Sequence, residues 1–445
     1  MRTHLPKSMT TEPTTSLTER FRGLLERWWN PLCILGVVLG LLVASGLLGL
    51  IFGKEQLLLG LLVTGFAAAL LGMLLLMYYF ETMVLGILLT CLAIPFDLPT
   101  GTMTDIPVSY LLTLAICVLW FVSMYIRHTW RLTPSKLNRP LITFGAICCL
   151  SWVWGTLWRD PVVGTSSRFL FVQGATVLCY LLSLAMPLII GNFVQTPMRL
   201  LYLMLTMVII GTVIMVCLSI GIDQPVLQAR GMGLLWTTVC AYSLLVSMPK
   251  LRLPVQLGLL STIGLWFYWQ VLVNSTWLSG WIPTVVALGS ATWFRSKRLT
   301  VILGLIGVIG IITAHDFFVD VFAADLTGGS TERIGIWEQQ EVIISAHWLL
   351  GTGPAGYKPY LETYFPGDTR SSHNNYVDIL SQFGLLGFAA WIWLAVTGIS
   401  EGWRATRRAP PGILRAAAIA GVGGWTGAQA GMFFGDWVLP FTYNL

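Results

Sequence analysis

Charged residues are scarce in this chain. Only 10% of its 445 residues are Asp, Glu, Lys or Arg, and 56% are hydrophobic. In water-soluble domains about a quarter of the residues are charged. With a mean hydropathy of +0.75, this composition excludes an ordinary water-soluble domain and indicates a membrane protein.

Long apolar runs recur from Pro31 to Trp437. Runs of about 17–25 residues can cross roughly 30 Å of hydrocarbon as helices, and lipid-exposed backbone must form its hydrogen bonds within its own helix. We therefore predict an all-α, polytopic membrane protein with about 12–13 transmembrane helices. The predicted spans are 31–53, 56–79, 82–96, 107–126, 140–157, 169–194, 199–221, 232–248, 253–273, 279–294, 299–315, 377–399 and 412–437.

These spans divide the chain into five regions. The first thirty residues lack an early apolar core and a small-residue cleavage site, so a cleaved signal peptide is not expected. A long polar segment before the last two spans is predicted to carry short amphipathic helices. The predicted regions are a cytoplasmic tail (1–30), a helix bundle of about eleven spans (31–315), a large loop (316–376), two final spans (377–437) and a C-terminal tail (438–445).

The sequence lacks the residue patterns that disulfides, metal sites and nucleotide binding usually require. All eight cysteines fall inside predicted spans, so neither a disulfide framework nor a thiolate metal site is expected. No Walker-type glycine-rich loop is present, and no His, Asp or Glu residues have metal-ligand spacing around the polar loop. We expect no metal and no cofactor, so any reaction outside the cytoplasm would need a preactivated donor.

The net charge of +6 is explained by topology. If the N-terminus is cytoplasmic and the spans alternate, the dense basic segments near 127–139, 250–252, 295–298 and 404–415 all lie inside, as the positive-inside rule requires. Nucleic acid is therefore not expected as a partner, and the loop from His315 to Asn375 is predicted to be extracytoplasmic. The basic residues left outside are Lys54, Arg159, Arg168, Arg230, Arg333, Lys358 and Arg370.

His373 is the leading catalytic candidate. It lies with Asn374, Asn375 and Tyr376 at the start of an apolar helix, at the end of the long polar loop. A neutral imidazole there can accept a proton from a hydroxyl. A lone interface histidine is also often structural, so local sequence alone leaves both interpretations open.

Two outside arginines have settings that suit anion binding. Arg230 precedes Gly231 at the entrance to an apolar helix, where a guanidinium can hold a phosphate or simply anchor the helix end. Arg333 and Trp337 lie one turn apart on a predicted amphipathic helix. The turn after that helix, Gly351-Thr-Gly353-Pro-Ala-Gly, brings several backbone N–H groups together and is a further candidate anion site.

In combination these segments resemble the O-antigen ligase and polymerase family of bacterial membrane proteins. The resemblance rests on an ordered series: Arg230-Gly231, Arg333-x-x-x-Trp337, Gly351-x-Gly353-Pro354, His373-Asn374-Asn375-Tyr376 and Gly384-Leu-Leu-Gly387. Two departures stand out. The segment 274–280 lacks an arginine that members often carry, a contact that Arg168 could supply, and Gln382 stands where members often have Glu.

The resemblance implies a metal-independent, inverting glycosyltransferase of the bacterial inner membrane. Its donor would be a glycan on undecaprenyl diphosphate, and its acceptor a hydroxyl of a glycan, lipid or protein. The implied roles are general base for His373, diphosphate binding for Arg230, Arg333 and Arg168, orientation of His373 or the acceptor for Asn374 and Tyr376, and support for Trp337 and Gly353.

Other functions remain open from the sequence. Ligase, polymerase and transfer to protein differ only in the acceptor, which the sequence does not specify. A transporter or flippase of a lipid-linked glycan would predict charged residues within spans, and almost none occur between Leu32 and Phe294. A purely structural membrane scaffold would not explain the ordered motifs of the polar loop.

Overall fold

The computed structural model describes residues 97–99, 105–126, 128, 132–166, 169–194, 196–221, 231–248, 250–325, 331–367 and 372–435. All of them belong to the compact unit Glu81–Leu445. The predicted tails 1–30 and 438–445, and the predicted spans 31–53, 56–79 and 82–96, lie outside the described residues.

The described chain is almost entirely helical, which confirms the predicted all-α fold class. Two short strands, Asp97–Pro99 (β1) and Asp105–Pro107 (β2), form an antiparallel pair with Leu98 opposite Ile106. The helices are α1 Val108–Ile126, α2 Asn138–Leu157, α3 Phe169–Phe193, α4 Pro197–Ser219, α5 Gly231–Ser247, α6 Leu253–Trp266, α7 Leu278–Arg295, α8 Lys297–Thr313, α9 His315–Asp325, α10 Thr331–Ala346, α11 Tyr357–Tyr364, α12 Asn375–Arg408 and α13 Ile413–Gly431.

Every predicted span from 107 onward coincides with a helix. Within the described residues, five helices are long and apolar enough to cross a membrane: α2, α3, α4, α12, and α6 together with the π-helical segment Phe267–Val273 that follows it. The pair α8 and α9 is bent by 81° and would make a sixth as one broken span. The large loop contains α9, α10 and α11, as the predicted short helices require.

Two apolar clusters hold the bundle together. One is aromatic and joins α2, α3 and α12, where Phe144 meets Tyr180, Phe383 and Trp391 edge-on. The other joins α4, α5, α6, α7 and α13, and the buried members from α7 and α13 are alanines. A Cβ at Gly427 would lie 2.5 Å from Ala287 Cβ, so glycine allows α7 and α13 to approach closely, as is common between membrane helices.

Helix α12 is broken one third of the way along. Gly384 has φ 63° and ψ −165°, a conformation that interrupts the helical hydrogen bonds and that side-chain-bearing residues rarely adopt. Residues 375–383 form the short first part of α12, and residues 385–408 form the long second part. The broken backbone lies in the protein interior, where its polar groups need partners.

One end of the bundle, here named the loop end, carries α10, α11 and the turns around them. The end of α2 meets the large loop there, since a Cβ at Gly155 would lie 2.3 Å from the Thr352 carbonyl oxygen. The start of α12 meets the end of α13 through the Asn375 N–H, which donates to the Met432 carbonyl at 2.9 Å.

The opposite end, here named the basic end, gathers the other helix termini. Gly412 N–H donates to the Ser247 carbonyl at 3.1 Å, and the Arg295 side chain donates to the Val246 carbonyl at 3.4 Å. Lys136, before α2, pairs with Glu401 near the end of α12 at 3.3 Å. The separation of these basic residues from the large loop agrees with the predicted alternation of spans.

Candidate functional site

His373 lies in a constrained turn at the loop end, immediately before α12. Its backbone φ is 48°, in the left-handed region that a non-glycine residue adopts only when its surroundings enforce it. The imidazole is exposed, whereas Ser372 and Asn374 on either side are buried. The fold therefore presents the histidine outward from a buried backbone.

Hydrogen bonds on the buried side fix this turn. The Ser372 hydroxyl accepts the Asn374 N–H at 3.0 Å and donates to the Asp378 carboxylate at 2.7 Å. Asp378 lies in the first turn of α12, where a negative charge also interacts favourably with the helix dipole. Asp378 and Ser372 thus join the turn to the helix that follows it.

Trp337 connects the turn to α10. Its indole N–H donates to the Ser372 carbonyl at 2.7 Å, one residue before His373. Arg333 is half-buried and lies one turn earlier on the same helix. The structure therefore brings together three sequence-predicted residues: His373 on its turn, and Arg333 and Trp337 on the helix beside it.

Asn374 and Tyr376 act on the backbone around His373. The Asn374 side-chain oxygen accepts the Tyr376 N–H at 3.0 Å and the Val377 N–H at 3.4 Å, which makes it the N-cap of α12. The Tyr376 hydroxyl donates to the Gln429 carbonyl on α13 at 3.0 Å. Both side chains hold the start of α12 in position. That they orient His373 or the acceptor stays a prediction.

The glycine-rich turn after α10 fills the break in α12. Thr352 and Gly353 N–H groups donate to the Ser381 and Gln382 carbonyls, at 2.9 and 3.0 Å. In return, Leu385 N–H donates to the Trp348 carbonyl at 2.7 Å. The turn thus supplies the hydrogen-bond partners that α12 loses at Gly384.

The hypothesis that this turn binds an anion is wrong. The N–H groups of Gly351, Thr352, Gly353, Ala355 and Gly356 all donate to oxygens of the protein itself. Pro354 between them has no N–H. No backbone donor of the turn remains available for a ligand, so Gly353 supports the site by close packing and backbone pairing.

The motif glycines permit this close contact. A Cβ at Gly384 would lie 2.4 Å from the Leu349 carbonyl carbon, and a Cβ at Gly351 would lie 2.4 Å from the Gln382 carbonyl carbon. Both residues also have positive φ, 63° and 70°. A larger residue at either position would force the turn and the helix apart.

Ser151 and Gln382 complete the junction. The Ser151 hydroxyl, on α2, lies 2.8 Å from the Leu350 carbonyl and 2.7 Å from the Gln382 carbonyl. The Gln382 side-chain oxygen accepts the Ala355 N–H at 2.9 Å. A neutral amide is sufficient for this buried contact, so Gln382 has a structural role here.

Arg230 and Arg168, two of the predicted diphosphate ligands, lie outside the described residues. The residues that follow each of them lie at the loop end. Met232 at the start of α5 approaches Gly431, next to Met432, whose carbonyl binds Asn375. Gln173 at the start of α3 approaches Gly353.

A second set of contacts joins the loop end to the connection between α2 and α3. Asp160 in that connection donates its N–H to the Tyr360 hydroxyl at 2.9 Å and accepts the Tyr364 hydroxyl on its carboxylate. The Tyr364 hydrogen bond lowers the pKa of Asp160. The His347 ring meets the Tyr360 ring edge-on at 4.7 Å, and burial lowers the pKa of His347.

Sequence reasoning missed the residues that brace the site. Ser151 and Gln429 are polar side chains within apolar helices, which is a usable signal because such groups need partners in a membrane protein. Asp160 and His347 gave no such signal, because loop residues of this kind are common. Both contact Tyr360, which lies 200 residues after Asp160 and 13 residues after His347 in the sequence.

The helices define a multi-pass membrane protein, and the candidate residues His373, Arg333 and Trp337 lie at the loop end of its bundle. Residues 263–392 match the model of the O-antigen ligase family. The matched segment runs from α6 into α12 and contains Arg333, Trp337 and His373, so it supports membership of that family and confirms the resemblance seen in the motifs. A comparison with curated proteins gives no significant match.

Proposed function

We propose that this protein transfers a glycan from an undecaprenyl-diphosphate donor to an acceptor hydroxyl, with His373 as general base. The match to O-antigen ligase supports the reaction class. The observation that carries the residue assignment is the hydrogen bond from Trp337 to the Ser372 carbonyl. It holds a helix bearing an arginine against the turn that presents an exposed histidine.

The proposed chemistry is a single inverting displacement. His373 removes the proton of the acceptor hydroxyl while the oxygen attacks the anomeric carbon of the donor sugar. The bond between that carbon and the diphosphate oxygen breaks, and the diphosphate leaves with the bonding electron pair. The proton remains on the imidazole, which releases it to solvent because the side chain is exposed.

Arg333 is proposed to bind the diphosphate and to stabilise the charge that develops as it departs. Its half-buried position beside the His373 turn suits a guanidinium that is partly shielded from water. Arg230 and Arg168 are proposed to bind the same group, and the positions of Met232 and Gln173 at the loop end support this proposal. The loop end is proposed to face the extracytoplasmic side of the inner membrane.

The test uses the purified full-length protein with a polyprenyl-diphosphate glycan. His373→Ala is expected to lower the transfer rate by about 10²–10⁴-fold, the usual contribution of a general base. His315→Ala is the matched control, because His315 is also exposed and lies in the same large loop. Normal transfer by the His373 variant would refute the catalytic assignment.

Two further measurements separate the parts of the proposal. Arg333→Gln is expected to raise KM for the donor, and Arg333→Lys to restore part of the binding, because lysine keeps the charge but not the bidentate geometry. Activity is expected to survive a metal chelator. Parallel assays with glycan, lipid and protein acceptors distinguish polymerase, ligase and protein glycosylation.

A further inference from the structure

An open cleft lies at the basic end, far from the residues assigned to glycan transfer. Its volume is about 850 Å³, and it is bounded by the segment before α2 and by the second part of α12. Lys136, Arg139 and Arg404 line it, with Glu401 as the lone carboxylate among the lining residues. The cleft therefore carries a net positive charge.

The charged residues lie at the rim and the apolar surface lies deeper. Trp393, Thr397 and Glu401 follow one another at four-residue spacing on one face of α12. With a rise of 1.5 Å per residue, Trp393 is about 12 Å below Glu401 along the helix axis. The Trp393 side chain is 46% exposed, so the lower part of the cleft offers an uncovered aromatic surface.

The rim is built before any ligand binds. The Thr133 N–H and hydroxyl both donate to the Asn192 side-chain oxygen on α3, at 3.0 and 2.9 Å. The Asn138 amide donates to the Thr133 carbonyl at 2.9 Å. These bonds fix the segment that carries Lys136 against α3 and against the start of α2, which carries Arg139.

Glu401 does not neutralise the rim. It pairs with Lys136 at 3.3 Å and with Arg404, so one carboxylate serves two cations. Arg139 is exposed, and no ion pair joins it to any residue that the structure describes. At least one guanidinium at the rim is thus available to a negatively charged ligand.

We infer that this cleft binds an anionic membrane phospholipid, with the phosphate at the Lys136, Arg139 and Arg404 rim and an acyl chain along Trp393. Basic clefts between membrane helices are known settings for anionic headgroups. The apolar lower part distinguishes a lipid from a free phosphate, which would use the rim alone. The site is independent of the glycan-transfer residues at the other end of the bundle.

The test measures lipid retention by native mass spectrometry of the full chain. Wild-type protein is taken from nanodiscs of dioleoylphosphatidylglycerol, which is anionic, or of dioleoylphosphatidylcholine, which is zwitterionic. It is expected to retain phosphatidylglycerol and not phosphatidylcholine. Inorganic phosphate is the second arm and is expected not to displace the lipid. Equal retention of both lipids by the wild-type protein would overturn the inference. Displacement of the bound lipid by phosphate would overturn it as well.

Variants then locate the site. Substituting both Lys136 and Arg139 with Gln is expected to weaken lipid binding about 25-fold. Each cation near an anionic headgroup contributes about fivefold in affinity, and the two factors multiply. Thr397→Phe should also displace the lipid, although it changes no charge, because it fills the cleft between rim and Trp393. Arg298→Gln is the control, since it removes a positive charge from the basic end outside the cleft.

An equal loss of lipid in the Arg298 variant would mean that general surface charge is responsible, and the cleft would be rejected. Retention at the wild-type level in the Thr397→Phe variant would reject it as well. The unfolding temperature of each variant is measured in parallel, so that a loss of lipid is not confused with a loss of fold.

Discussion

The loop end and the basic end of the bundle are stabilised in different ways. At the loop end, buried and mostly uncharged hydrogen bonds join segments that are far apart in sequence, such as Ser151 to the Gln382 carbonyl. At the basic end, the contacts include exposed ion pairs such as Lys136 with Glu401, whose side chains are 67% and 27% exposed. Exposed ion pairs contribute little stability, whereas breaking buried hydrogen bonds is costly.

This difference teaches that charge and geometry have separate tasks here. The basic residues are the basis on which the positive-inside rule predicts the orientation of the chain in the membrane. The geometry of the His373 turn depends instead on hydrogen bonds with fixed directions, which involve the Trp337 indole, the Asn374 amide and the Asp378 carboxylate. Substitutions at the two ends should therefore differ strongly in their consequences.

The largest effect is expected from Gly384→Ala. A Cβ there would meet the Leu349 backbone and also require an unfavourable positive φ, so we expect a destabilisation of about 3 kcal/mol or more. Thermal unfolding of the purified protein in detergent measures it. Gly421→Ala on α13 is the control, because nothing lies within 4 Å of a Cβ at that position.

A stable, fully active Gly384 variant would show that the loop end does not depend on the filled break. That result would contradict the claim that buried hydrogen bonds make the loop end more sensitive to substitution than the basic end.

A smaller effect is expected from Trp337→Phe. The ring remains, but the hydrogen bond to the Ser372 carbonyl is lost, which should cost about 1 kcal/mol of stability. Because Trp337 positions the His373 turn, kcat should fall more than KM rises. Trp348→Phe is the matched control, since that exposed side chain lies on the same loop. Equal kinetics for the two variants would argue against a positioning role.

Acid should loosen the contact between the α2–α3 connection and α11 before it affects the basic end. The pKa of His347 lies below its usual 6.5, so the fold favours the neutral ring. This contribution is complete above about pH 6.5 and is lost as the pH falls through the lowered pKa. The pKa of Asp160 is also lowered, so its contribution is lost at still lower pH.

Hydrogen exchange of residues 158–166, corrected for the intrinsic effect of pH, measures this loosening. His347→Phe keeps an aromatic contact with Tyr360 but cannot titrate, so it should abolish the first step. A first step that persists in this variant would assign the titration to another group.

The smallest effect is expected from Glu401→Gln. It removes the partner of Lys136 and Arg404, but all three side chains are exposed to some degree, so the unfolding temperature should hardly change. A marked loss of stability in low salt that disappears in high salt would show that the basic end depends on ion pairs more than the structure indicates.

The sequence predicted much of the fold, because long apolar runs and clustered basic residues have direct physical consequences in a bilayer. It also predicted the helix carrying Arg333 and Trp337, from the helical spacing of the apolar residues around them. It left the role of the glycine-rich turn open, because the partners of its N–H groups, Ser381 and Gln382, become visible only when α12 is seen to break at Gly384.

The roles of Asn374 and Tyr376 could be predicted only in outline. A position before a helix suggests an N-cap for Asn374, but the contact of Tyr376 with Gln429 depends on which helix packs beside α12. The absence of an arginine at 274–280 is visible in the sequence, whereas its replacement by Arg168 remains a prediction.

The filled break in α12 has a consequence for biosynthesis. Leu385 and Leu386 donate to carbonyls of Trp348 and Leu349, residues that leave the ribosome well before the second part of α12. Until the loop returns to meet them, these backbone groups would face lipid unsatisfied, at several kcal/mol each. The break in α12 therefore becomes favourable only once the loop packs against it, which couples formation of the nearby His373 turn to the packing of the loop.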